Sequence, residues 1–422
     1  MLGNSYISFG QDLKLQTAEE VPSDSNAVRY QRSKWALGVA QAVLSFAVML
    51  GIVLTGASMR LEELARAVAA NPYGSFLLFV FLVAGVHAVV AAPLVLWKDL
   101  LLERRYGLST QSFGQWMVAQ AKGTAFWAVV GIPALLLFYH LFRRLPTNWW
   151  APYAAAMILV SVAMVVVAPR VILPLFYRLE PIRDQGLRQR IAPLASAVSI
   201  EVETVMRFDL GKRSRKANAA LLGMGRTRRI VLSDTLLEHF TPAEIESVVA
   251  HELGHYRHRH LAKMLAAGAV QMSVGLYLSA WCFDQAVRAG HLPSGSLAPL
   301  PLLGLLFALY QLVTAPAMHA LSRHFELEAD RFALRQESSA GAFRSALRRL
   351  AQMNLADPDP PRLVELLCYS HPSLARRLRL ARQEAGRSTP QRRSRKLLIR
   401  CARQKEMWTD HVASIVKIPN RP

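Results

Sequence analysis

Six long stretches without charged side chains constrain this chain more than any other feature of its sequence. A helix that crosses a bilayer needs about 20 consecutive residues of predominantly apolar character. The stretches are Trp35–Met59, Gly74–Trp97, Gly123–Phe142, Leu145–Pro169, Met264–Phe283 and Leu300–Leu321. One such run could be a buried helix of a soluble protein, but six in one chain predict a polytopic membrane protein.

The segments between and after these stretches predict a second, smaller unit. Hydrophobic residues make up 52% of the chain, which favours spans combined with a polar domain over a pure membrane bundle. The predicted fold is mainly α, with about six membrane spans and a small α+β domain. The predicted order is a polar segment at 1–34, four spans within 35–177, a polar insert at 178–263, two spans within 264–321, a helical part at 322–383 and a basic tail at 384–422 that we expect to be disordered.

The strongly basic composition could indicate a nucleic-acid partner or a membrane surface. The 50 lysines and arginines exceed the 29 aspartates and glutamates and give a net charge of +21. Basic residues of membrane proteins collect in the polar segments, where they face anionic lipid. Because the sequence contains no nucleic-acid-binding motif, we expect the lipid bilayer as a partner and no nucleic acid.

The short loops predict the orientation of the spans. Lysine and arginine are more frequent in the loop between the second and third spans than in the loop between the fifth and sixth. The positive-inside rule then places both termini and segment 178–263 on the cytoplasmic side. The host membrane is a bacterial inner membrane, or the endoplasmic reticulum if the protein is eukaryotic.

The stretch "VVAHELGHYRHRH" at 248–260 carries the clearest chemical signal. His251 and His255 are four residues apart, so on a helix both imidazoles project from one face and can bind one zinc ion. Glu252 follows the first histidine and can accept a proton from water beside that metal. Thr241, with Glu244 three residues later, forms a capping-box pattern that predicts the helix start. The alternative interpretation is a polar helix with histidines at a lipid interface.

A catalytic zinc site needs a third protein ligand, and "FELEADRFAL" offers three carboxylates. Glu326 and Asp330 are four residues apart on one helical face, whereas Glu328 points elsewhere. One carboxylate could bind the metal while the other orients a ligand histidine. Alternatively, this is an ordinary acidic helix whose carboxylates pair with Arg323 and Arg331.

Four motifs in matching order resemble one known family. They are "GKRSRKANAALLG", "VVAHELGHYRHRH", "LSRHFELEADRFAL" and "YSHPSLARRL". Together they resemble the CAAX prenyl protease 1 family of integral-membrane zinc endopeptidases and, more distantly, the HtpX-like membrane proteases. The resemblance runs from about Trp35 to Leu380 and implies a ring of helices around a large chamber.

The resemblance implies that one zinc ion per chain is held by His251, His255 and Glu326. It also implies that Glu252 is the general base and that Asp330 supports a ligand from behind. A peptide bond would then be cut by water that Glu252 deprotonates.

Three further residues receive roles from the resemblance. Asn218 matches an asparagine on the strand that holds the substrate backbone, and Arg377 matches a substrate-side arginine. His371 matches a catalytic and substrate-binding histidine near the scissile carbonyl, where a donor would stabilise an oxyanion. Without the resemblance, Asn218 would be interpreted as a turn residue, Arg377 as a solvated charge and His371 as part of a helix start. We expect His258 and His260 to be surface histidines.

The implied substrate is a prenylated C-terminal CAAX peptide or protein, which loses its last three residues. Another enzymatic hypothesis is a broad-specificity protease for quality control of membrane proteins. A hypothesis from a different class is a non-catalytic zinc-binding scaffold or channel. Such a scaffold needs the zinc ligands but not the base, so the presence of Glu252 favours an enzyme.

Overall fold

The computed structural model describes residues 25–199, 205–290, 296–336 and 340–386, and it is mainly helical. In chain order the helices are α1 Ser25–Leu54, α2 Ala57–Val68, α3 Pro72–Arg105, α4 Phe113–Arg144, α5 Trp150–Phe176, α6 Gln185–Ser196, α7 Asp234–His239, α8 Pro242–Arg257, α9 His260–Ala289, α10 Leu300–Arg335, α11 Ala340–Met353, α12 Arg362–Cys368 and α13 374–386. The strands are β1 Leu179–Pro181, β2 Val205–Phe208, β3 Ala219–Leu222 and β4 Arg229–Ser233. The segment predicted at 384–422 lies almost wholly outside the described residues, as does most of 1–34.

Six helices within the described residues are long and apolar enough to cross a membrane, namely α1, α3, α4, α5, α9 and α10. This confirms the polytopic architecture. Each of these helices packs against the next one in the chain, and α10 packs back against α1, so the six close into a ring. At most 17% of the most apolar window of each helix is buried within the protein. Their side chains therefore face lipid or the space that the ring encloses.

An apolar cavity of about 510 Å³ lies inside this ring. All six spanning helices or their caps contribute to its lining, with Met49, Phe76, Phe138, Tyr153, Leu276 and Phe307 among the residues. This cavity lies where the resemblance implies a chamber between the spans.

The helices are longer than the apolar stretches that identified them. α1 begins at Ser25, ahead of the apolar run that starts at Trp35, and α9 begins at His260 rather than at Met264. α10 is one continuous helix of 36 residues that spans the ring and then extends beyond it. Because it is unbroken, the carboxylates at its C-terminal end have a fixed position relative to the membrane spans.

In the described part of the chain, the strands form one small sheet in the order β1-β2-β4-β3. β1 and β2 are antiparallel, β2 and β4 are parallel, and β3 and β4 are antiparallel. β4 therefore lies inside the sheet, and four of its five residues are buried. β3 pairs with β4 along one edge, and its other edge faces α8.

The sheet and the helices packed on it have an apolar core of their own. Helix α8 packs its apolar face, with Ile245, Val249 and Leu253, against the sheet and against α6, α10 and α11. These three side chains are at most 3% exposed. Burial of a full leucine or isoleucine side chain contributes about 1.5–3 kcal/mol. The helix is therefore held firmly between the sheet and the end of α10.

Candidate active site

The helix that carries the histidines is fixed at its start and along one side. At its N-terminus, the Thr241 hydroxyl accepts a hydrogen bond from the Glu244 amide, and the Glu244 carboxylate accepts one from the Thr241 amide at 2.8 Å. This confirms the predicted capping box. At Gly254, an added Cβ would lie 2.9 Å from the Cα of Ala329. The glycine thus allows α10 to approach α8 closely, which brings Glu326 to the histidines.

His251, His255 and Glu326 converge on one point. The two histidine Nε2 atoms are 3.2 Å apart. The Glu326 oxygens lie 3.4 Å from His251 Nε2 and 3.3 Å from His255 Nε2. Tetrahedral zinc, with bonds of about 2.0–2.2 Å to nitrogen and oxygen, separates its ligand atoms by about 3.3 Å. Two imidazole nitrogens and one carboxylate at this spacing fit such an ion.

Asp330 supports His251 from behind. Its Oδ1 lies 2.9 Å from His251 Nδ1, so that nitrogen carries the proton and Nε2 is free to bind a metal. Arg377 in turn donates to both Asp330 oxygens, from Nε at 2.8 Å and from Nη2 at 2.5 Å. Such a bidentate pair fixes the plane of the carboxylate, and the Asp330 side chain is fully buried.

The charges around His251 favour an added positive charge. Burial alone lowers the pKa of the imidazole, but the hydrogen bonds to Asp330 and Glu326 outweigh it and raise the pKa to about 10. A proton on His251 and a divalent cation compete for the same carboxylate-rich position. The electrostatics of the cluster therefore agree with its geometry.

Glu252 lies beside the cluster and contacts the edge of the sheet that β3 forms. Its Oε2 accepts a hydrogen bond at 3.0 Å from the backbone amide of Leu221 on β3. Burial raises the pKa of its carboxyl above the ordinary value. The sequence pattern did not indicate this contact, because Leu221 and Glu252 are 31 residues apart.

Asn218 immediately precedes β3. Its backbone amide donates to the Ser233 hydroxyl at 3.0 Å, and its carbonyl accepts from the Ser233 amide at 2.9 Å. The residue is exposed and lines a cavity of about 580 Å³. His251, Glu252, Glu326, His371 and Arg377 line the same cavity. The structure thus brings all the predicted site residues except Asp330 to the wall of one cavity, and Asp330 lies directly behind it.

His371 and Arg377 occupy different depths of this cavity. The His371 side chain is 64% exposed, and its Nδ1 lies 3.0 Å from Glu326 Oε2. It is therefore at the mouth, next to the ligand carboxylate. Arg377 is directed inward and its guanidinium binds Asp330.

The expectation that His260 is a surface histidine is wrong. The residue is 3% exposed, and its Nδ1 lies 3.0 Å from Nδ1 of His255. Arg259 adopts a left-handed backbone conformation with φ 55°, which turns the chain between α8 and α9 and brings the next side chain back under His255. No helical periodicity predicts this contact, since residues five apart do not share a helix face.

Comparison with known proteins agrees with this arrangement. A family model described as "CAAX prenyl protease N-terminal, five membrane helices" matches residues 17–178, and the model of peptidase family M48 matches residues 181–385. This chain belongs to peptidase family M48. The two matches meet where α5 ends and β1 begins.

Relatives extend over most of the chain. An uncharacterized metalloprotease, YhfN of Bacillus subtilis, is 28% identical over 89% of this chain and 87% of its own length. The CAAX prenyl protease 1 homolog of Arabidopsis thaliana is 29% identical over 68% of each chain. CAAX prenyl protease 1 of Saccharomyces cerevisiae is 26% identical over 72% of this chain and 71% of its own.

The crystal structure of Ste24p from S. mikatae shares the fold. It superposes with a TM-score of 0.76 at 23% identity and covers 84% of this chain and 88% of that one. The M48 chain described here is thus an integral-membrane, multi-pass metalloendopeptidase.

Proposed function

We propose that this protein is a zinc endopeptidase in which His251, His255 and Glu326 hold the metal and Glu252 is the general base. The observation that carries the proposal is the position of Glu252, whose carboxylate lies between the three converging ligands and β3. A zinc ion bound there would act as a Lewis acid toward the scissile carbonyl and the attacking water. Imidazole and carboxylate donors in this number are typical of catalytic zinc sites.

The protein side chains divide the remaining work. Glu252 accepts the proton of the attacking water and returns it to the leaving amine, and its raised pKa suits both roles. The free edge of β3 offers backbone groups that pair with an extended peptide. Asn218 lies at the start of this edge and holds the substrate backbone, and His371 at the cavity mouth donates to the developing oxyanion.

Arg377 acts mainly through Asp330 in the proposed mechanism. Its guanidinium binds both oxygens of that carboxylate, which fixes the orientation of His251. The same arginine lines the cavity, so it also contributes positive charge to the substrate side.

The proposed substrate is a prenylated C-terminal CAAX peptide, from which the enzyme removes the last three residues. Relatives from Arabidopsis thaliana and Saccharomyces cerevisiae carry the words CAAX prenyl protease 1 in their names, which supports this substrate class. A second cavity, of about 440 Å³, lies on the other side of Glu252 and His255 and has a mainly apolar lining that includes Leu221, Met224 and Phe325. A large apolar group next to the scissile bond fits such a lining.

The site is proposed to face the cytoplasm. The loop after α3 contacts the insert, with the Thr110 amide donating to the Arg213 carbonyl at 3.1 Å, so both lie on one side of the ring. The positive-inside rule assigns the cytoplasm to that side. With the native cysteines replaced, a cysteine at exposed Glu238 should resist an impermeant thiol reagent in intact cells. Labelling in intact cells without permeabilisation would contradict the proposed orientation and place the site on the opposite side of the membrane.

The substrate class is tested with two peptides of identical sequence, one farnesylated and one with a free cysteine, added to purified protein in detergent. Release of the C-terminal tripeptide from the farnesylated peptide alone supports CAAX processing. Equal cleavage of both peptides and of an unfolded membrane protein would contradict it and favour the quality-control hypothesis.

A further inference from the structure

The second zinc ligand has a supporting chain of its own, distinct from the Asp330–Arg377 pair. His255 directs Nε2 toward Glu326 and Nδ1 toward His260, at 3.0 Å. His260 then directs Nε2 toward Glu328 Oε2 at 2.9 Å. Three side chains from α8, α9 and α10 thus form one hydrogen-bonded series that ends at a carboxylate.

The chemistry of metal binding allows one arrangement of protons along this series. Nε2 of His255 must be unprotonated to bind a metal, so its Nδ1 carries the proton. Nδ1 of His260 then accepts that hydrogen bond, and Nε2 of His260 carries a proton. The Glu328 carboxylate, which accepts without donating when ionised, completes the series.

The position of His260 is determined by its surroundings as well as by these hydrogen bonds. The ring stacks on Phe325, with centroids 4.4 Å apart and an angle of 10° between the planes. His258 also stacks on the His260 ring, with centroids 5.6 Å apart. A ring held on its faces can change its orientation little, so it transmits the direction of the Glu328 hydrogen bond to His255.

We infer that His260 and Glu328 are positioning residues that orient His255 as a metal ligand. This rests on the proposed zinc site and deepens it, because each ligand histidine then has its own carboxylate. The supports differ, since Asp330 is fully buried and held by arginine, whereas the Glu328 side chain is 28% exposed and also lies 3.6 Å from His324. The His255 support is therefore the weaker one.

The test uses the full chain in detergent, with His260→Phe and Glu328→Ala as variants. Phenylalanine preserves the stacking on Phe325 but lacks ring nitrogens. His258→Ala is the matched control, because it removes a ring that stacks on His260 without lying between His255 and Glu328. Zinc affinity is measured by chelator competition, and the absorption spectrum of the cobalt-substituted protein reports ligand geometry.

We expect His260→Phe to weaken zinc binding by about 10–100-fold and to change the cobalt spectrum. Glu328→Ala weakens zinc less, and it adds nothing in the His260→Phe background because the two residues act in series. His258→Ala leaves the His260 ring stacked on Phe325 and the hydrogen-bonded series intact, so it changes affinity and spectrum far less than His260→Phe does. The melting temperature of the metal-free proteins separates these effects from misfolding.

Three results would overturn the inference in distinguishable ways. If the wild type binds zinc and cuts peptide, but His260→Phe and Glu328→Ala retain its affinity and spectrum, the positioning role alone fails. If the folded wild type binds no zinc, the proposed function fails together with the inference. Additive effects of the two substitutions would also contradict action in series. If His260→Phe does not fold, Glu328→Ala alone tests the inference. Unchanged zinc affinity in that variant would show that the Glu328 carboxylate does not support His255.

Discussion

Gly254 shows how a single residue determines whether the ligands can meet. It lies between Glu252 and His255, where α8 is in close contact with α10. A methyl group there would lie 2.9 Å from Ala329 Cα and 3.1 Å from Ala329 O. Because these are backbone atoms, α10 would have to move, and it carries both Glu326 and Asp330.

Gly254→Ala should therefore damage the metal site before it damages the rest of the fold. We expect weaker zinc binding and a loss of about 1–3 kcal/mol in unfolding free energy from overpacking. Gly268→Ala on α9 is the control, because its added Cβ meets nothing within 4 Å. Equal zinc affinity in both variants would show that the close approach does not set the ligand geometry.

At the residue scale, the sequence predicts the local relationships well. The spacing of His251 and His255, the cap at Thr241 and the shared face of Glu326 and Asp330 all follow from one helical period. The hydrogen bond from Leu221 to Glu252 and the burial of His260 do not. Both depend on how separate elements pack, and the second also depends on one left-handed residue between two helices.

At the scale of elements, α2 and the segment before α10 form a joint on the side of the ring opposite to the insert. Glu62 on α2 accepts hydrogen bonds from the Ser296 hydroxyl at 2.6 Å and from the Ala298 amide at 2.9 Å. Arg66 pairs with the other carboxylate oxygen at 2.7 Å. Burial raises the pKa of Glu62, but these hydrogen bonds outweigh it and lower the pKa overall.

This joint should weaken in acid. A carboxyl with a lowered pKa in the folded state stabilises that state above its unfolded pKa, and the contribution is lost as the pH falls through the folded pKa. Glu62→Gln should thus lower the melting temperature at neutral pH, and the difference from the wild type should shrink on acidification. Exposed Glu63→Gln is the control. A difference that persists unchanged in acid would contradict this assignment.

A second joint connects the protease-like insert to the membrane helices. Lys216 pairs with Glu103 on α3 at 2.7 Å, and the hydroxyl of buried Tyr30 on α1 donates to the same carboxylate at 2.5 Å. Lys216 is two residues before Asn218, so this joint also fixes the start of β3.

Lys216→Met should disturb the substrate strand without removing the metal. We expect unchanged zinc content and a fall in kcat/KM of up to about 10²-fold, because misplacement of a binding element is costly even away from the chemistry. Lys212→Met, which removes a largely exposed lysine paired with Asp209, is the matched control. Full activity in the Lys216 variant would show that this ion pair does not contribute to substrate binding.

The order of the sheet is the part of these elements that the sequence could not predict. β4 passes directly into α7 at Ser233 and Asp234, a transition that is local in the sequence. The parallel pairing of β2 with β4, with β3 outside, depends on contacts between distant segments. That order is what leaves an edge of β3 free to face Glu252.

At the scale of the whole molecule, the site is built where the helical ring meets the polar unit. α8 leads directly into the spanning helix α9, and α10 crosses the ring before it presents Glu326. The histidines and the carboxylate are thus attached to adjacent spans that pack against each other. Apolar stretches in the sequence were sufficient to predict these spans, and the M48 membership agrees with the enzyme that the ligand pattern indicated.

The zinc mechanism is tested by comparing the wild type with Glu252→Gln for cleavage of a farnesylated CAAX peptide, with zinc content measured on both proteins. We expect that both hold one zinc ion and that the variant loses activity by about 10²–10⁴-fold, because a general base is removed. Full activity of the variant, or a folded and active wild type without bound metal, would contradict the roles assigned to Glu252 and to the zinc ligands.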